Sequence, residues 1–227
     1  KNRGPDNQNF KFLKHNSKKI FLLSSRLKIV DRLDRSNQPM EIDDCIISFN
    51  GEIYNIDEIR KKVFENGLKL KTKSDTELIL KMYKIFGTNC VNHFDGMWAF
   101  AIFDKIRGFL FISRDRLGEK PFYICKKSNG YYFGDKSIEQ DKESFFKNIF
   151  KIEPGTNIII KNDLSIKRTQ YWKPNIKENN ISENKCKRLI KENFENKIKS
   201  ICNTDLKLGL SLSGGIDSNY ILGYITK

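Results

Sequence analysis

Apolar positions gather in short runs through the first two thirds of the chain. IFLLS (20–24), CIISF (45–49), MWAFAIF (97–103), FLFIS (109–113) and PFYIC (121–125) are the clearest, followed by 131–134 and 157–160. Runs this short, rich in β-branched and aromatic residues, predict strands. DKIRG (104–108) between two of them predicts a hairpin. The alternation along 98–103 reads as a buried strand rather than a stacking platform. Two segments carry a helical period instead. DEIRKKVFEN (57–66) is stopped by Gly67. DTELILKMYKIF (75–86) is stopped by Gly87 and places Leu78, Ile79, Met82, Tyr83 and Phe86 on one face. Strands and helices come in clusters, not in strict alternation, which predicts a layered α+β domain over 1–172.

After Tyr171 and Trp172 the texture changes. A polar linker, 173–181, precedes a helix from about Ser182 to Ile201, with Ser182 as its N-cap. An apolar strand over 206–212, a glycine loop over 213–218 and the start of another helix follow. Strand, glycine loop, helix is how a parallel α/β nucleotide domain begins, so 182–227 reads as the start of a second domain.

Composition narrows the classes. With 38% hydrophobic and 12% aromatic residues the chain can bury a core. No apolar run reaches the length of a membrane span, and no signal-peptide pattern is present; with its thiols this predicts a cytoplasmic protein without a membrane partner. Cys45, Cys90, Cys125, Cys186 and Cys202 never form a C-x-x-C pair, which suits buried reduced thiols. The formal charge of +14 comes mostly from lysines spread along the chain among Glu and Asp, so it argues against a nucleic-acid stripe. A basic, non-catalytic nucleic-acid module stays as the competing class. His15 and His93 lack matching partners and look like neither ligands nor bases.

Three small constellations carry chemistry. LSLSGGIDS (210–218) ends in a loop whose glycines let backbone N–H groups approach an anion, with the positive end of a helix behind them. It lacks the Walker A pattern. FNGEIYN (49–55) holds Asn50 and Gly51, which alone would read as a tight turn after the strand 45–49. Ser74-x-x-Glu77 is a capping box, so Asp75 sits in the first turn of a helix and complements its dipole whatever else it does.

The loop S-G-G-I-D-S after an apolar strand resembles the PP-loop of the ATP pyrophosphatase group, enzymes that adenylate a carboxylate or carbonyl. NRGPD (2–6), SRLKIVD (25–31), QPM (38–40), FNGEIYN, SDTE (74–77), FDGMWAFAIFD (94–104), RDRLGEKPFY (114–123), EPGT (153–156) and YW (171–172) resemble, in order, the glutaminase domain of glutamine-hydrolysing asparagine synthetases. These are class II amidotransferases. The resemblance implies an N-terminal-nucleophile-type layered αββα glutaminase domain, followed by the start of an adenine-nucleotide-α-hydrolase-like α/β domain. Asn50 and Gly51 would then form the oxyanion hole. Arg26 would clamp the glutamine α-carboxylate, Leu27 and Ile29 would add backbone contacts, and Glu52 and Asp75 would face the ammonium. Leu212, Ser213, Gly214, Gly215, Asp217 and Ser218 would hold ATP, and Asp217 would bind its Mg²⁺.

The family's nucleophile is a cysteine at the mature N-terminus, a few tens of residues upstream of NRGPD. None of the five cysteines lies in that context. The expectation is therefore a fragment, inactive by itself, of a protein that hydrolyses glutamine and uses the ammonia with ATP to convert aspartate to asparagine. Glutamine and aspartate are its expected substrates, and a homodimer is compatible with it. An enzyme of the same type acting on another carboxylate is the alternative, because the acceptor pocket would lie beyond Lys227. Two places depart from the family. Gly134, Asp135, Lys136 and Ser137 stand where a Ser-Glu pair is common, and Lys28 replaces a small residue, harmlessly if it faces outward.

Overall fold

A computed structural model describes residues 4–29, 31–134, 148–178, 180–202 and 207–226. The chain divides into two compact units, Lys1–Lys173 and Pro174–Lys227. The substituted stretch 135–137 lies outside the described residues.

The first unit is built on an antiparallel six-stranded sheet. It also holds β1 (Asn7–His15) paired with β2 (Lys18–Arg26), and a three-stranded sheet. The large sheet contains β3 (Met40–Ile42), β4 (Cys45–Ile53), β5 (Gly96–Asp104) and β6 (Phe109–Arg114). β7 (Tyr123–Lys127), β8 (Gly130–Gly134) and β9 (Ile149–Lys151) make the small sheet. β10 (Thr156–Lys161) and β11 (Ile166–Gln170) complete the large one, whose spatial order is β11-β10-β6-β5-β4-β3.

Successive side chains of a strand point to opposite faces, and both faces of this sheet are apolar. Ile47, Phe49, Trp98, Phe100, Ile102 and Phe111 form one core with residues of α1 (Ile56–Glu65) and α2 (Asp75–Phe86). Ile46, Ala99, Ala101, Phe103 and Ile112 form the other, with Leu22 of β2, Phe122 and Ile124. Helices, sheet and a second β layer thus succeed one another, as a layered α+β domain requires. The 98–103 stretch is core on both sides. Asp104 and Gly108 close the expected hairpin through a Gly108 N–H to Asp104 carbonyl bond of 2.9 Å.

β1 escaped the pattern reading because its residues are mostly polar. Its turn is nonetheless written in Asn16 and Ser17, both at positive φ (44° and 63°), the geometry that joins twisted hairpin strands. The outer face of this hairpin exposes Phe10, Phe12, Phe21 and Leu23, with the Phe12 and Phe21 rings 4.6 Å apart.

The second unit contains α3 (Glu183–Ile201) and α4 (Ile216–Ile225), and Phe194 packs on Tyr220 and Tyr224. Ser182 occupies the N-cap position of α3, but its side chain makes no capping bond. Of the strand expected over 206–212, the described residues 207–212 form none. A strand exists through its ladder partners, and the described residues of this unit supply none.

Candidate active site

Arg26 ends β2 and is buried, at 8% exposure. Its guanidinium donates to the Asp31 carbonyl (2.8 Å), the Leu33 carbonyl (3.4 Å) and Asn37 Oδ1 (3.2 Å). Burial lowers its pKa, against the opposing charges of Asp75 and Asp31. Asp31 fastens this loop to the next element. Its carboxylate accepts from the Lys73 N–H (2.7 Å) and pairs with Arg35 (3.2 Å). Burial pushes Asp31 up, but the Lys73 N–H, the Ser36 hydroxyl, the Leu33 N–H and the Arg35 charge outweigh it, leaving its pKa low. The condition set for Lys28, an outward-facing side chain, is not met: that side chain is only 18% exposed and reaches Asp34 at 2.7 Å.

Asn50 and Gly51 lie inside β4, opposite Ala99 and Trp98, so the turn reading is wrong. The strand continues because β5 pairs with it through Ile53. A Cβ on Gly51 would stand 2.1 Å from the Met97 carbonyl oxygen, which explains the glycine by close approach. The Phe49 N–H points to the edge away from β5, where it donates to Gln38 Oε1 at 2.7 Å. Strand alternation puts the Gly51 and Ile53 N–H groups on that same edge. Ile53 donates to the Asp75 carboxylate. Gly51 lies between these two occupied rungs.

Asp75 is held by the start of α2. Ser74 caps this helix, its Oγ accepting from the Glu77 N–H at 3.2 Å. The box is not reciprocal, because Glu77 turns to accept from the Lys71 and Thr72 N–H groups instead. Burial pushes Asp75 up to about 6, helped by the neighbouring Glu52 and opposed by its backbone donors and Arg26. Burial also raises Glu52, against the pull of Lys120.

The sign of the Asp75 shift gives a prediction. Its folded pKa, about 6, lies above the ~3.9 of an unfolded aspartate, so the free protein loses stability as pH rises from about 4 through 6. Removing the charge with Asp75→Asn should recover about 2–3 kcal/mol at pH 7.5 and almost nothing at pH 4. Urea unfolding of both proteins at the two pH values checks it; equal midpoints at pH 7.5 contradict it.

Arg26, Leu27, Ile29, Asn50, Gly51, Glu52 and Asp75 all line one cleft of about 1930 Å³ within the first unit. Gln38, Thr76, Glu119 and Lys120 line it too, and the motif reading gave none of these four a role. Glu119 and Lys120 are aimed by Asp115, fully buried, which accepts from the N–H groups of Trp98, Leu117, Glu119 and Lys120. Arg114 braces the same loop by donating to the carbonyls of Lys120, Gly118 and Ile152. None of the five cysteines lines the cleft. Burial pushes the Cys45 thiol up to about 11 and raises Cys90 as well, so neither offers a thiolate.

In the second unit Gly215 is the N-cap of α4 and Gly214 has φ of 79°. The Ser213 and Ser218 hydroxyls are 3.3 Å apart, and the Gly215 N–H donates to Ser213 Oγ at 3.4 Å. Residues 211–217 are exposed, and Ser218 is half-buried; Asp217 occupies the first turn of α4. Small residues, hydroxyls and helix-start amides suit a phosphate. For a cation the loop offers one carboxylate. Among the described residues no group of three or more His, Cys, Asp or Glu side chains gathers, so phosphate oxygens would have to supply the remaining ligands. No helix among them is long and apolar enough to cross a membrane.

Residues 1–137 match the family model described as glutamine amidotransferase domain. A provisionally assigned asparagine synthetase (glutamine-hydrolysing) 2 of Methanocaldococcus jannaschii is 35% identical, covering 98% of this chain and 51% of its own length. Asparagine synthetase (glutamine-hydrolysing) 1 of Bacillus subtilis is 30% identical over 97% of this chain and 38% of its own. The chain therefore spans about half the length of the first relative and less of the second. Among solved structures, glutamine phosphoribosylpyrophosphate amidotransferase of B. subtilis aligns with a TM-score of 0.46 and 18% identity, over 60% of this chain and 32% of that one.

Proposed function

Because the chain belongs to the glutamine amidotransferase domain family, we propose that its cleft binds L-glutamine and supports hydrolysis of the side-chain amide, within a longer asparagine synthetase. The observation that carries this is the convergence of Arg26, Asn50, Gly51, Glu52 and Asp75, from three separate stretches of sequence, on one cleft. The planar Arg26 fork fits the α-carboxylate, with backbone groups of Leu27 and Ile29 beside it. Glu52 and Asp75 face the α-ammonium, which favours their ionised forms. That leaves the side-chain amide against the outer edge of β4. As the carbonyl becomes tetrahedral, the Asn50 side-chain amide and the Gly51 N–H stabilise the oxyanion. Water and glutamine become glutamate and ammonia. The attacking thiolate, in this reading, belongs to an N-terminal cysteine of the longer protein.

ATP and Mg²⁺ belong to the same proposal. Ser213, Gly214, Gly215 and Ser218, preceded by Leu212, would hold the phosphates, and Asp217 would contribute to the metal. Bound ATP would supply the adenylyl group that activates a carboxylate as pyrophosphate leaves, and ammonia would then displace AMP from it; aspartate is the proposed acceptor. A cytoplasmic, homodimeric protein fits this reading. The test is to assay glutamate, asparagine, AMP and pyrophosphate in the full-length protein given glutamine, aspartate and ATP. All four products are expected together. Glutamate release without aspartate-dependent AMP rejects the synthetase while keeping the glutaminase; no glutamate rejects the glutaminase.

A further inference from the structure

Gln38 lies outside every contact proposed for glutamine, yet it is buried at 6% exposure and lines the cleft. Its two amide ends engage two different elements. Oε1 accepts from the Phe49 N–H at 2.7 Å, and Nε2 donates to Thr76 Oγ1 at 3.2 Å. Phe49 immediately precedes Asn50 and Gly51, and Thr76 immediately follows Asp75. One side chain therefore ties the strand that carries the oxyanion donors to the helix start that carries the ammonium-facing carboxylate.

The need for such a tie follows from the topology. β3 is three residues long, and its ladder with β4 ends at Met40 opposite Ile47. Beyond that point the outer edge of β4 has no strand paired with it among the described residues. The next outward N–H, that of Phe49, would be left unmade, and a buried unmet donor costs about 1–3 kcal/mol. Gln38, two residues before β3, replaces the missing rung with its side chain. The following outward N–H along this edge is that of Gly51, and the next, of Ile53, is taken by Asp75. Gln38 and Asp75 bracket the Gly51 amide on its edge.

Resting on the glutaminase reading above, we propose that Gln38 is a positioning residue that fixes the spacing between the Asn50–Gly51 oxyanion donors and the Asp75 carboxylate. It touches no reacting atom in this scheme. Its loss should therefore leave glutamine bound but misaligned with the donors, a fault that falls on kcat rather than on KM. Displacement of a reacting group by about 1 Å can cost about 10²-fold in rate.

The test is a double-mutant cycle in the full-length protein with Gln38→Met, which keeps the volume and removes both bonds, and Thr76→Val, which removes only the Nε2 partner. Glutamine-dependent and ammonia-dependent asparagine formation are both followed, together with the thermal midpoint. For Gln38→Met the expected result is a fall of about 10- to 100-fold in glutaminase kcat, with KM within about threefold and ammonia-dependent activity unchanged. Thr76→Val should show part of the loss, and the double variant no more than Gln38→Met alone. Unchanged kcat in Gln38→Met overturns the proposal, as do strictly additive losses or an equal fall in ammonia-dependent activity. If the unsubstituted protein releases no glutamate from glutamine, the glutaminase reading itself fails; a proficient parent with an indifferent Gln38→Met variant sinks only the positioning role. Should Gln38→Met not fold, Thr76→Val alone decides by the same split between kcat and KM.

Discussion

Asn50→Ala lowers the glutaminase kcat of the full-length protein by about 10²–10³-fold, with KM for glutamine within about threefold. The asymmetry is the informative part. The Asn50 amide meets an oxygen that carries charge only as the carbonyl becomes tetrahedral, so its removal weakens the transition state more than the bound ground state. Asn50 sits inside β4, paired on one side with β5, so truncation leaves its backbone rung and the neighbouring Gly51 in place. Ammonia-dependent asparagine formation should be untouched. Steady-state kinetics with both nitrogen sources check it. A rise in KM at constant kcat would move Asn50 from transition-state stabilisation to simple glutamine binding.

Arg26→Met acts on the opposite parameter. The guanidinium is buried and faces the carboxylates of Asp75 and Asp31, and its donors also hold two loop carbonyls. Truncating one partner of a buried, hydrogen-bonded charge pair costs about 2–5 kcal/mol in binding, which as lost affinity is roughly 30- to 5,000-fold. KM for glutamine should rise by that factor. The thermal midpoint should fall too, because the Asp31 and Leu33 carbonyls lose their donors. Arg26→Lys should recover the charge but not the two-pronged geometry, and so only part of the affinity. Kinetics and thermal unfolding of the two variants decide it: if methionine and wild type share one KM, the carboxylate of glutamine is held elsewhere.

What could be read in the sequence was whatever local periodicity or local chemistry determines. α2 runs from Asp75 to Phe86 as its pattern predicts, and the Ser74 cap forms because an extended Ser followed by three helical residues needs nothing from farther away. β5 was legible because both of its faces are apolar. Long-range pairing was not. Asn50–Gly51 looks like a turn until β5 is known to run beside it. β1 looks like surface until β2 pairs with it from Asn7 to His15. The stretch 206–212 has the composition of a strand but lacks a described partner in its own unit. The braces were hidden for the same reason. Asp31 reaches Lys73 and Gln38 reaches Thr76, separations of about 40 residues that no motif window spans. The placement of Arg26, Asn50, Gly51, Glu52 and Asp75 on one cleft was anticipated only through their resemblance to a family, since nothing in their spacing brings them together.

The β1–β2 ribbon has a consequence for the behaviour of the chain in solution. Four large apolar side chains stand on its outer surface, on a sheet only two strands wide among the described residues, an adhesive arrangement for extended backbone. The formal charge of +14 works against this stickiness, since copies approaching one another repel. That repulsion reaches only about 10 Å at 0.1 M salt and about 3 Å at 1 M. Added electrolyte therefore removes the colloidal protection while leaving the aromatic ribbon as adhesive as before, and the polypeptide keeps best in dilute buffer.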